Sequence, residues 1–98
     1  MTIYMTAKFV VREDTLELCE QVIQEFVDAV RGSEPDTLLY TSLQENPTHF
    51  IHYFIFRDDK ARELHSSSAA VNCFTGVLYF NLVAPVEFTE YRLFASTK

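Results

Sequence analysis

The chain has 98 residues, 48% of them hydrophobic and 22% charged, a balance that suits one folded domain with a modest core rather than a disordered chain. Its net charge is −6, and the 8 basic residues are scattered, so neither nucleic acid nor an anionic membrane surface is an expected partner. No apolar run approaches the ~20 residues of a bilayer span, and MTIYMTAKFV alternates instead of forming an apolar leader, which predicts a cytoplasmic protein.

Residues 3–11 place Ile3, Met5, Ala7, Phe9 and Val11 on one side and polar residues on the other, the period of a strand. Asp14 then offers an N-cap, with Glu17 three residues later completing a capping box. Leu16, Cys19, Ile23, Phe26, Val27 and Val30 follow at helical spacing, against Glu17, Glu20, Gln24, Glu25 and Asp28. The helix is predicted to stop near Gly32, with Pro35 beyond it. TLLYTSLQ (37–44) reads as a second strand, ENPT as a turn and HFIHYFIF (49–56) as a third strand, together a hairpin. RDDKARELH (57–65) reads as a short helix capped by Asp58 or Asp59. Ser66, Ser67 and Ser68 interrupt it and can cap another helix, whose stripe is Val71, Phe74, Val77 and Leu78. After Pro85, VEFTEYRLF (86–94) reads as the last strand. Cys19 and Cys73 lack any metal-ligand spacing and are expected as reduced thiols on buried helix faces.

The order strand, helix, strand, strand, helix, strand is the split βαβ plan of an α+β, ferredoxin-like domain. It predicts a four-stranded antiparallel sheet with helices on one face only. HFIHYFIF is apolar on both of its sides, which predicts that both sheet faces are covered. A second copy of the chain, in a homodimer, is the simplest cover.

Several of these stretches together resemble the antibiotic biosynthesis monooxygenase family of dimeric α/β barrels, which includes quinol monooxygenases. The acidic residue and proline before the second strand are matched by Glu34-Pro35, and the tyrosine that follows by Tyr40. The apolar third strand is matched by Phe50 to Phe56. The acidic turn, alanine and helix-borne histidine are matched by Asp58-Asp59, Ala61 and His65-Ser66-Ser67, and a helical phenylalanine by Phe74. The chain departs from the pattern at Asp36, where the family usually has glycine, and at Phe54 and Phe56, where glutamate and tryptophan are common. The Asn, Trp and His set of the haem-degrading branch is missing: its tryptophan position falls on His65, and the first strand has no Asn.

The resemblance implies oxygenation of a small aromatic quinol or polyphenol by O2, with no cofactor and no metal. Such chemistry needs a base, a donor for the developing oxyanion and an apolar pocket that excludes water. His52 shares strand parity with Phe54 and Phe56, the side that the family pattern turns toward the pocket. It is a candidate base or donor, or else a core histidine satisfied by a carbonyl or a tyrosine hydroxyl. His65, at a helix end, is a second catalytic candidate, or else a residue that bonds the last helical carbonyls. Tyr40 and Tyr79 are candidate phenolic donors, and Phe54, Phe56 and Phe74 candidate walls for an aromatic ring. His49 follows the turn and is expected to be exposed. The histidines form no obvious ligand set for a metal. Two other functions fit the same residues: a cofactor-free isomerase of a small hydroxyketone, and a dimeric small-molecule-binding module without chemistry.

Overall fold

A computed structural model describes residues 1–98. The elements are β1 (Ile3–Val10), α1 (Leu16–Ser33), β2 (Thr37–Glu45), β3 (His49–Phe56), α2 (Asp59–Ser66), α3 (Ala69–Leu78) and β4 (Glu87–Tyr91). The strands pair antiparallel in the order β2-β3-β1-β4. This is the ferredoxin-like arrangement expected from the sequence. β2 and β4 are free edges, so the sheet of one chain is open and does not close into a barrel by itself.

Register decides which side chains meet the helices. Met5 lies opposite Phe54, Ala7 opposite His52 and Phe9 opposite Phe50 across β1 and β3, while Tyr40 of β2 lies opposite Phe54. Because strand side chains alternate, this set shares one face. α1 closes over it with Cys19, Ile23, Phe26 and Val30, all buried at three- and four-residue spacing. α3 adds Phe74 and Leu78 from its buried stripe. The opposite face carries Leu39, Leu43, Ile51, Tyr53 and Ile55, which are exposed or only half-buried.

Local chemistry sets the ends. Asp58 accepts a bond from the backbone N–H of Ala61 at 2.9 Å and starts α2; Ser68 accepts from Val71 at 3.1 Å and starts α3. Asn46 takes φ 54° in the β2–β3 turn, a region that asparagine tolerates. The capping box expected from Asp14 and Glu17 does not form. Glu13–Thr15 winds as a 3-10 turn instead, Thr15 stands at the cap without a side-chain bond, and Asp14 accepts from Arg12 at 3.2 Å. α1 ends at Ser33, next to Gly32 and before Pro35, where the sequence places its stop. Cys19 is buried as expected, whereas Cys73 is exposed, because it precedes Phe74 and so lies about 100° around α3 from the buried stripe. β4 stops at Tyr91, which pairs with Tyr4 close to the start of β1, so residues 92–94 have little strand left to pair with.

Candidate active site

A chamber of about 210 Å³ lies between the inner sheet face and the helices. Its walls are aromatic pairs contributed by different elements. Phe26 of α1 lies 4.2 Å from Phe74 of α3 with the rings 6° from parallel. Tyr40 of β2 lies 4.9 Å from Phe54 of β3 at 8°, and Phe56 meets Phe54 edge-on at 5.5 Å. Parallel rings at these separations present flat apolar faces, the surfaces that hold another aromatic ring.

His52 enters this wall from the middle of β3 and is 1% exposed. Its Nδ1 is 2.9 Å from the Tyr40 hydroxyl, and its Nε2 is buried with no partner. Burial among Phe9, Phe26 and Phe74 disfavours the imidazolium and lowers the pKa of His52 from 6.5 to about 4, so the ring is neutral near pH 7. Burial first, then the charges of Glu34 and Tyr79, raises the pKa of the Tyr40 phenol, which keeps its proton. Tyr40 therefore donates to Nδ1, and Nε2 carries the hydrogen. The reverse tautomer would strand both the Tyr40 O–H and the Nε2 lone pair, two unsatisfied groups instead of one. His52 is thus a neutral donor with an unused N–H.

His65 approaches from α2, one turn beyond buried Ala61 on the inward face of that helix. Its Nδ1–H donates to Glu34 Oε1 at 2.7 Å, and Thr37 Oγ1 donates to the same oxygen at 2.8 Å. Glu34 closes the C-terminal end of α1; its side chain is 8% exposed and its Oε2 is buried without a partner. With Nδ1–H held by the carboxylate, Nε2 is the ring nitrogen of His65 left free, and His65 lines the chamber. A carboxylate-oriented imidazole of this kind is the arrangement that takes a proton and is stabilised as the imidazolium. The two histidines do not bond each other. Both rings line the chamber, but Nε2 of His52 is itself buried without a partner.

The sequence profile of the antibiotic biosynthesis monooxygenase family matches residues 2–75, from β1 into α3. The chain belongs to this family. Solved structures share its fold at low identity. A Mycobacterium tuberculosis protein superposes with a TM-score of 0.90 at 15% identity, over 100% of this chain and 100% of its own. Proteins from Bacteroides thetaiotaomicron and Nitrosomonas europaea, both carrying the family's name, superpose at TM-scores of 0.91 and 0.86. Their identities are 14% and 17%, and the matches cover 99% and 92% of this chain and 93% and 88% of theirs. No curated protein matches the sequence significantly.

Within this antibiotic biosynthesis monooxygenase domain, the structure brings His52, His65, Tyr40, Phe54, Phe56 and Phe74 to one chamber. Tyr79 lines the chamber too and is 52% exposed. His49 is exposed beside Thr48 and takes no part. The reading of His65 as a cap for the last helical carbonyls fails, because its Nδ1 turns to Glu34. Glu34 is a candidate site residue that the sequence alone did not single out. The Glu34-Pro35 pair marks a position in the family pattern, but only the packing of α2 against the end of α1 reveals its partner. No three His, Cys, Asp or Glu side chains converge on a common point, and no helix is long and apolar enough to cross a membrane.

Proposed function

We propose that this family member is a monooxygenase that needs no bound cofactor and oxidises a small aromatic quinol or polyphenol with O2. The observation that carries this reading is the Glu34–His65 pair, at 2.7 Å, beside an aromatic-walled chamber. A substrate hydroxyl gives its proton to Nε2 of His65, and the Glu34 carboxylate stabilises the imidazolium. The electron-rich ring then forms a carbon–oxygen bond to O2, and cleavage of the O–O bond leaves one oxygen on the ring and the other as water. A hydroquinone becomes a hydroxyquinone in this way: the substrate supplies all four electrons, so no outside reductant is needed.

The face carrying Leu43, Ile51, Tyr53 and Ile55 is the surface we assign to a second copy of the chain. Its apolar side chains lie partly open on one chain, and a two-fold homodimer would bury them.

Turnover of hydroquinones under ¹⁸O2 tests the enzyme reading. Product carrying one ¹⁸O, with the other label in water, is expected. Unlabelled product, or undiminished conversion of a small hydroxyketone without O2, would replace oxygenation with proton-transfer chemistry at the same histidines.

A further inference from the structure

We infer that Thr37 is a positioning residue that fixes the Glu34 carboxylate and, through it, the ring of His65. The inference rests on reading His65 as the base and adds the part that holds it in place. Glu34 to Thr37 form a turn. The N–H of Thr37 donates to the carbonyl of Glu34 at 3.1 Å, and Pro35 takes the second position, where its fixed φ suits a β-turn. Closing the turn sets its first and fourth side chains next to each other. Thr37 Oγ1 donates to Glu34 Oε1 at 2.8 Å, and Nδ1–H of His65 donates to the same oxygen at 2.7 Å. Glu34 is also held by α1, since its own N–H donates to the carbonyl of Val30 at 3.0 Å.

A carboxylate bonded to His65 alone is free to pivot about its Cγ–Cδ bond, because Oε2 is buried with no partner to resist the motion. A second donor, from the start of β2, fixes the carboxylate plane. The orientation of an imidazole follows the bond that its Nδ1 makes, so the direction of Nε2 depends on that plane. The turn is itself pinned to the residue after β3. Arg57 donates from Nε to Asp36 Oδ1 at 2.9 Å, and from its backbone N–H to the Asp36 carbonyl at 2.9 Å. A glycine in place of Asp36 would keep only the second of these bonds. Neither Glu34 nor Thr37 lines the chamber, so both act through His65 and not on a ligand.

Thr37→Val removes the hydroxyl and keeps the shape, whereas Thr37→Ser keeps the hydroxyl. Two readouts test the inference. One is steady-state O2 uptake on a hydroquinone. The other is solvent exchange of the His65 Nδ1–H proton, followed by NMR of ¹⁵N-histidine-labelled protein, with the resonance assigned by its loss in His65→Gln. Thr37→Val should lower kcat by about threefold to tenfold and leave KM nearly unchanged. It should also speed exchange of the Nδ1–H by about tenfold. Thr37→Ser should restore both, and Thr37→Ala takes the place of the valine variant if that one does not fold. A wild-type kcat or wild-type exchange in Thr37→Val would overturn the inference, as would a loss that serine fails to restore. The parent reading fails separately. No O2 uptake by wild type, with exchange responding to Thr37 as expected, would refute the oxygenase and leave the positioning of His65 standing. Quinol turnover equal in wild type and Thr37→Val would refute the positioning and leave the oxygenase.

Discussion

Acidification should destabilise the protein through His52, and the size of the effect follows from its burial. In the unfolded chain the ring titrates near 6.5, and in the folded protein near 4, because desolvation disfavours the charged form. Above pH 6.5 the ring is neutral in both states and contributes no pH dependence. As the pH falls below 6.5 the unfolded chain takes up the proton first, so stability drops until the folded ring also protonates near pH 4. Integrated over that window, the loss is about 3 kcal/mol, of which about 2 kcal/mol has gone by pH 5. Against a typical total of roughly 5–15 kcal/mol, this is a visible share. Urea unfolding of wild type and His52→Gln at pH 7, 6 and 5, at one protein concentration, measures it. Glutamine can still accept from Tyr40 and does not titrate, so the other acidic groups cancel between the two proteins. The stability difference between them should move by about 2 kcal/mol from pH 7 to pH 5, with wild type losing more. Parallel pH profiles would refute the reasoning.

Glu34→Gln should lower kcat by about tenfold or more and leave KM nearly unchanged, because a neutral amide cannot stabilise the imidazolium; steady-state O2 uptake reads both. Phe74→Ala removes one ring of the Phe26 stack and should cost about 3–5 kcal/mol in chemical unfolding. Ser68→Ala removes the side-chain acceptor at the start of α3 and should cost about 1 kcal/mol in the same assay. Ile51→Lys places a charge in the middle of the apolar outer sheet face, and light scattering after gel filtration should show a dimer for wild type and a monomer for the variant.

The alternation of Ile3 to Val11 and the three- and four-residue spacing from Cys19 to Val30 made the first strand and first helix legible, because those periods reflect which side faces the core. The parity of HFIHYFIF likewise placed His52, Phe54 and Phe56 on one inner face, since register cannot slip without exposing all of them. What failed depended on geometry between neighbours. The Asp14–Glu17 pattern is a valid capping box in isolation, but a 3-10 turn displaced the start of α1 past it. Cys73 sits one residue from the buried stripe, and a stripe's edge is not fixed by residue type. The role of His65 was half legible: its place in α2 followed from the sequence, whereas its bond to Glu34, 31 residues earlier in the chain, is a product of tertiary packing. In the proposed reaction the part of base falls to His65, because burial holds His52 neutral.

In the proposed reaction His65, oriented by Glu34, deprotonates a phenol in this chamber so that O2 can attack it. The most direct measurement is O2 consumption by wild type and His65→Gln on a single-ring hydroquinone, with equal folding of the two proteins verified by circular dichroism. Wild type should consume one O2 per quinol, and the variant should be slower by about a hundredfold or more, the range of a lost general base. Equal rates in the two proteins, or wild-type uptake no faster than autoxidation, would contradict the account.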